Sequence, residues 1–201
     1  MTIVANSQAA VSILLYFILP FWLVAGFADY LCHRASNIEA TTGYKESLLH
    51  LLMFAEVAVP LLAAIFLEIN ALVIALMIAG YVVHQLTALW DISSATNRRY
   101  VSPIEQQVHS FLELLPLTGM LIVIILNWPQ FLSLWGLGDE TPRFQIALRP
   151  EPLPWTYVAT FLCAVLLFEL LPYLEELVRG WRFRKVSGTP DSGKKPHSGI
   201  F

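Results

Sequence analysis

The chain has 201 residues, of which 57% are hydrophobic and 13% are charged. Soluble domains carry about 25% charged residues, so this composition excludes an ordinary soluble domain and indicates an integral membrane protein. The net charge of −3 is small, and we expect no binding to nucleic acid.

Five apolar segments are each long enough to cross a bilayer as an α-helix. The second and third are separated by a tight turn at residues 68–70. The fifth follows a loop, residues 129–154, that contains five prolines. The predicted spans are residues 10–32, 46–67, 71–90, 104–128 and 155–177.

These spans use nearly every residue up to 186, so we predict a single transmembrane helical domain, residues 1–186. The tail, residues 187–201, is rich in Gly, Ser and Pro, a composition that predicts disorder. Residues 1–8 contain no Lys or Arg, so we expect the first span to be a retained helix and not a signal peptide. The fifth helix either closes the bundle or forms a lipid-facing dimer surface.

Lysine and arginine placement predicts the orientation, because cytoplasmic segments carry an excess of these residues. With five spans and a cytoplasmic C-terminus, the inner segments hold Arg34, Lys45, Arg98, Arg99 and six Lys or Arg residues of the C-terminal segment 179–201. The outer segments hold Arg143 and Arg149. We therefore predict an N-terminus outside, a C-terminus inside, and location in a bacterial inner membrane.

Histidines and carboxylates recur at helical spacing near the ends of the first four spans. Positions four or seven residues apart share one face of a helix. Because the spans alternate in direction, all these sets fall at one level, in the cytoplasmic third of the membrane. The sets are Asp29/His33, Glu46/His50, His84/Asp91 and Glu105/His109, with Glu113 one or two turns deeper. We predict an all-α protein in which four helices form a bundle around this polar site.

Acidic residues outnumber basic ones in this half of the bundle by seven to four. Buried carboxylates need a partner or they become neutral, so the excess favours a bound cation. The acids are Asp29, Glu39, Glu46, Glu56, Asp91, Glu105 and Glu113, and the bases are Arg34, Lys45, Arg98 and Arg99.

Imidazole and carboxylate ligands without thiolate suit iron, manganese or zinc. One such pair on a helix is usually a local contact, but four pairs at one depth favour a metal site. The predicted ligands are His33, His50, His84, His109, Glu46, Asp91, Glu105, Glu113 and Asp29. Arg98 and Glu113 are the predicted catalytic residues. We expect Arg98 or Arg99 either to serve only as a topology signal, or to pair with Asp91 or hold an anionic head group.

The constellation resembles that of membrane-embedded di-iron oxidoreductases, in which Glu and His from four helices point inward. The resemblance covers residues 29–113 and is one of chemistry. The helical motif here is Glu-x-x-x-His at Glu46 and Glu105, whereas di-iron carboxylate proteins use Glu-x-x-His, and the histidine boxes of membrane fatty-acid hydroxylases and desaturases are absent.

The resemblance implies two iron ions, with zinc or manganese as alternatives, and O₂ chemistry that hydroxylates, desaturates or oxidises a lipophilic substrate drawn from membrane lipid. The sequence contains no flavin, haem or nicotinamide motif, so a separate electron donor is expected. Two other functions stay open: a zinc-dependent lipid hydrolase, and a transporter of divalent metal or protons. A purely structural role for the ion pairs is the remaining alternative.

Overall fold

The structure is a computed structural model that describes residues 2–187, with side chains described from residue 6 to residue 186. Residues 188–201 of the predicted disordered tail lie outside the described residues. The helices are α1 (Thr2–Ile13), α2 (Leu19–Ser36), α3 (Ile38–Thr41), α4 (Tyr44–Phe66), α5 (Ala71–Thr96), α6 (Pro103–Leu126), α7 (Trp128–Leu134), α8 (Trp155–Val165) and α9 (Leu171–Ser187). Two π-helical turns, Leu14–Ile18 and Leu166–Leu170, join α1 to α2 and α8 to α9.

Five helices are long and apolar enough to cross a membrane, which confirms the predicted all-α membrane fold. We call them spans one to five: Asn6–Ser36, Tyr44–Phe66, Ala71–Thr96, Pro103–Leu126 and Trp155–Val186. Each contains most of a segment predicted from hydropathy. Span five is longer than predicted because α9 continues for ten residues beyond 177, to Ser187, through a polar stretch that contains Arg179 and Arg182.

The spans pack in two antiparallel pairs with span five between them. Spans two and three form a hairpin, spans one and four pack together, and span five contacts both span two and span one. An apolar core joins span one to spans four and five, where Trp22 packs near Leu115 and Phe161. The fifth helix therefore closes the bundle, which is one of the two roles that the sequence left open.

Span five approaches span one closely at Gly26. A Cβ atom at this position would overlap the carboxylate of Glu169. Glu169 lies in the second π-helical turn, and such turns insert a residue that redirects side chains and often occur at functional sites. The turn and the glycine together allow a carboxylate of span five to face the interior of the bundle.

The long loop after α7 folds back over the turn between spans two and three. The backbone N–H of Glu68 donates to the carbonyl of Ala147 at 2.9 Å, and the N–H of Arg149 donates to the carbonyl of Phe66 at 2.9 Å. The side chain of Gln130 accepts from the N–H groups of Ala71 and Arg143. The loop thus covers the end of the bundle that is remote from the predicted polar site.

Asn70 connects this loop to the start of span three. Its Oδ1 accepts from the backbone N–H groups of Leu72 and Val73, at 3.1 and 3.3 Å, as a helix N-cap. Its Nδ2 donates to the carbonyl of Gln145 at 2.9 Å, and the residue is fully buried. One side chain thus caps a helix and anchors a loop.

We expect Asn70→Ala to lower the stability of the protein by about 1–3 kcal/mol, because it removes an N-cap and the hydrogen bond that anchors the loop at Gln145. Thermal unfolding in detergent measures the effect. Asn97→Ala is the matched control, since Asn97 is exposed and donates to Ser93 of its own helix; its midpoint should stay close to that of the wild type. Equal midpoints for the two variants would contradict the anchoring role.

Candidate metal centre

The first four spans bring seven of the nine predicted ligands into one buried group at one end of the bundle. We call this group the polar cluster: Asp29, His33, Glu46, His50, Asp91, Glu105 and His109. Six of them are buried, and the side chain of His109 is 17% exposed. The predicted coincidence of depth therefore holds for residues from four different helices.

Asp29 lies at the centre of the first half of the cluster. Its Oδ1 is 3.4 Å from Nε2 of His33 and 2.8 Å from Nε2 of His109. Oε1 of Glu105 is also 3.4 Å from Nε2 of His33. Among the described residues, neither Asp29 Oδ1 nor His33 Nε2 has a hydrogen-bond partner of proper geometry.

Such spacings are those expected of ligands that converge on one ion. Atoms that bind a metal at about 2.0–2.2 Å in tetrahedral or octahedral geometry lie roughly 2.8–3.6 Å from each other. All three spacings fall in this range. Asp29, His33 and His109 are therefore a candidate ligand set.

His50 begins the second half of the cluster. Its Nε2 is 3.5 Å from Oδ2 of Asp91. Within the described part of the chain, His50 Nε2 and Asp91 Oδ1 have no hydrogen-bond partner. His33, His50 and Glu46 also each offer a ligand atom within 4.8 Å of the other two. The two halves meet at the pair of histidines.

Glu176 of span five holds both of these histidines. Its Oε2 lies 3.1 Å from Nδ1 of His33, and its Oε1 lies 2.9 Å from Nδ1 of His50. The two imidazole rings stack with centroids 4.3 Å apart and planes 11° apart. Because an ionised carboxylate only accepts hydrogen bonds, Nδ1 of each ring carries a proton, and Nε2 of each ring faces the cluster; in the neutral imidazole this Nε2 is an acceptor and can bind a metal. Carboxylates orient metal-binding histidines in this way.

The sequence prediction missed Glu176. A signal was present, because Glu169 and Glu176 are seven residues apart and share a helix face, as His84 and Asp91 do. Both carboxylates are buried. The fifth span was left without a role because its apolar sequence contains no histidine.

Arg99, and not the predicted Arg98, reaches the polar cluster. Its guanidinium donates to Glu46 and to Glu105, with shortest N–O distances of 2.5 Å to each, and its side chain is 3% exposed. Burial alone would lower the pKa of Arg99, but the hydrogen bonds to Glu105 and Glu46 outweigh it and raise the pKa further. Arg98 is exposed. The expected pairing with Asp91 is replaced by a bridge between spans two and four.

His84 and Glu113 lie deeper in the bundle than the cluster. Nδ1 of His84 is 3.8 Å from Oε2 of Glu56, whose other oxygen accepts from Thr87 at 2.8 Å. His84 shares a helix face with Asp91, but seven residues correspond to about 10 Å along the axis. The helical period thus predicted the correct face for His84. The rise along the helix axis, however, separates His84 from the other predicted ligands.

A cavity of about 60 Å³ connects these deeper residues to the cluster. Its lining includes Asp29, His50 and Asp91 on one side and His84 and Glu113 on the other. Span five contributes Glu169 and Tyr173, which contact each other. His84 and Glu113 therefore face the space beside the cluster, where a small molecule would meet it.

Comparisons of the chain with protein-family models, curated proteins and solved structures found no match. What the cluster does must therefore be argued from its chemistry. Asp29, Glu46, Asp91, Glu105 and Glu176 are five buried carboxylates, and Arg99 offsets one of their charges. Uncompensated charge is very costly in a membrane interior. Four negative charges remain after the charge of Arg99 is subtracted. Protons on the imidazoles or bound cations can offset them, and two divalent cations would match all four.

We expect Arg99→Gln to destabilise the protein by about 3–5 kcal/mol, because removing one partner of a buried ion pair leaves its carboxylates uncompensated. Arg98→Gln, at the neighbouring exposed position, should change stability by less than about 0.5 kcal/mol. Thermal and denaturant unfolding in detergent measure both. If the two variants unfold alike, the Arg99 bridge does not hold the cluster together.

Proposed function

We propose that the polar cluster binds two iron ions and that the protein is a membrane oxidoreductase that uses O₂ to hydroxylate, desaturate or otherwise oxidise a lipophilic substrate. One observation carries the proposal. Glu176 accepts hydrogen bonds from both His33 and His50, so that Nε2 of each ring faces a group of buried carboxylates. A carboxylate that fixes the orientation of histidines in this way is typical of metal sites.

The geometry supports a division of the ligands between two ions. Asp29, His33 and His109 suit one ion, and His50 with Asp91 suits the other. Stacked rings whose centroids are 4.3 Å apart would hold two ions at a similar separation, close to the 3.5–4 Å of known two-metal sites. Glu46 and Glu105, held side by side by Arg99, are the carboxylates best placed to bind either ion or both.

Iron is the proposed metal because the donors combine imidazole and carboxylate without thiolate, as in di-iron carboxylate bundles. Iron would supply O₂ activation and electron transfer when bound. The chain's own residues would orient the ligands, exclude water and supply protons: Glu113 and Glu169 line the adjoining cavity, and both are carboxylates beside the cluster. Electrons would come from a separate donor on the side where His109 is partly exposed.

A zinc-dependent lipid hydrolase is the second candidate. Ser47 favours it, because this buried residue follows Glu46 in the chain, and its hydroxyl has no hydrogen-bond partner in the described part of the chain. A zinc-bound water would then be the nucleophile, and no electron donor would be needed.

The first test is the metal content of the protein purified after expression with ample iron. We expect about two iron ions per chain, the number held by di-iron carboxylate bundles, together with an optical or Mössbauer signal of iron. A colourless, zinc-loaded protein with hydrolytic activity would support the hydrolase instead. Less than about one transition-metal ion per chain would refute both.

The second test separates Glu176 from its neighbour Glu175. We expect Glu176→Gln to weaken binding of Fe²⁺ about 10–100-fold, since loss of a carboxylate that orients ligand histidines has that effect. Glu175→Gln should bind Fe²⁺ like the wild type, because Glu175 pairs with Arg34 and Tyr30 on the exposed surface. Titration of the metal-free protein with Fe²⁺ under anaerobic conditions gives both affinities, and equal affinities would contradict the role of Glu176.

A further inference from the structure

A second, larger cavity lies between the polar cluster and the opposite end of the bundle. Its volume is about 140 Å³, and spans one to four line it, mostly with apolar side chains. The polar lining residues sit at its two ends. Glu56 and Tyr81 lie at the end toward the cluster, and Asn127 and Arg149 lie at the other.

The two cavities are adjacent. Trp22 and Val57 line both of them. Glu56 lines the larger cavity and His84 the smaller, and these two side chains are 3.8 Å apart. The larger cavity therefore leads toward the cluster and not to a separate part of the molecule.

The dimensions of the larger cavity suit a slender apolar chain. An engineered apolar cavity of about 150 Å³ stays dry and binds benzene, so a lining of this kind and size takes hydrocarbon in preference to water. Along span one the lining extends from Val11 to Trp22, about 16 Å at 1.5 Å per residue. From Trp22 to Asp29 is about 10 Å more. The whole path approaches the roughly 30 Å thickness of a bilayer's hydrocarbon core.

Arg149 gives the cavity a charged end. Its backbone N–H donates to the carbonyl of Phe66 and its side-chain Nη1 donates to the carbonyl of Ala64 at 3.1 Å, so the loop fixes the residue against span two. A guanidinium has five N–H donors, and this side-chain bond uses one of them. Arginine binds carboxylates and phosphates through paired donors. A cation at the mouth of an apolar cavity complements a lipid with an anionic head group.

We propose that this cavity binds a single-chain anionic lipid of the fatty-acid type, with its carboxylate at Arg149 and its chain end directed toward the polar cluster. The cluster would then meet the end of the chain that is remote from the head group. That this lipid is the substrate rests on the proposed function, whereas its binding and its direction rest on the cavity and Arg149.

Photolabelling with two fatty-acid probes tests the direction of binding. One probe carries a diazirine next to the carboxylate and the other carries it at the chain end. We expect the first to label residues near Arg149 and Ala64, and the second to label residues near Trp22 and Val57, as mapped by mass spectrometry of the purified protein. The reverse pattern, or labelling spread over the lipid-facing surface, would overturn the proposal.

Two arginines of the same loop test the head group. We expect Arg149→Gln to reduce labelling by the fatty-acid probes about tenfold, equivalent to about 1.4 kcal/mol, and to leave labelling by the matching fatty-alcohol probe unchanged. Arg143→Gln should alter neither, because Arg143 is exposed and pairs with Glu68. Equal labelling of wild type and Arg149→Gln by the acid would exclude an anionic ligand at this end.

Two alanines of span two test the cavity itself. Ala64 lines the cavity and Ala55 is exposed on the same helix. We expect Ala64→Leu to block labelling while thermal unfolding shows that the variant is folded, and Ala55→Leu to label like the wild type. Unchanged labelling of Ala64→Leu would refute the site. Metal content measured on the same samples keeps the outcomes apart: labelling without metal would remove the proposed function only, and metal without labelling would remove this inference only.

Discussion

The hydrogen bonds from His33 and His50 to Glu176 are the interaction on which the polar cluster depends. They join span five to spans one and two, across 143 and 126 residues of the chain, and they decide which nitrogen of each ring faces inward. A buried carboxylate of this kind needs a helix that comes close to spans one and two at the right depth. Span five meets that need because Gly26 admits Glu169 and because α9 continues past the apolar core. The fifth helix is thus part of the site and not only part of the bundle wall.

Charge balance is the second constraint. Five buried carboxylates around the same histidines and arginine would repel in a medium of low dielectric constant. Arg99 joins Glu46 to Glu105 and so relieves the repulsion between spans two and four. The loop that carries Arg99 begins as soon as span three ends and precedes the N-cap Ser102 of span four, so its short length keeps the guanidinium at the mouth of the bundle. Arg99 therefore has two roles. It belongs to the Lys and Arg residues whose placement predicts the orientation in the membrane, and it also stabilises the cluster.

Hydropathy was sufficient to predict the five helices, since only apolar helices of this length can cross a bilayer. Helical spacing and alternating direction were sufficient to predict that Asp29, His50 and Glu105 would lie at one depth. Neither pattern shows which helices are neighbours, so the spacing of Glu169 and Glu176 could indicate a shared face but not that Glu176 would contact His33 and His50. Glu56 is rotated away from His50 on its own helix, and it faces His84 of span three. The periodicity of one helix shows which of its residues share a face, but contacts between two helices depend on how the helices pack.

The two cavities divide the bundle into a polar end and an apolar end, and this division bears on the alternative functions. An ion that crossed the membrane through the bundle would have to pass about 16 Å of mostly apolar lining beyond Trp22. Unpaired charge is very costly in such surroundings, so the cluster is better suited to be the end of a path than a point along it. A lipophilic molecule carries no such energetic cost when it enters through the apolar end of the bundle. Arg99 and the partly exposed His109 lie on the opposite side of the cluster. The arrangement therefore favours chemistry between a membrane-borne molecule and a fixed polar centre over passage of ions.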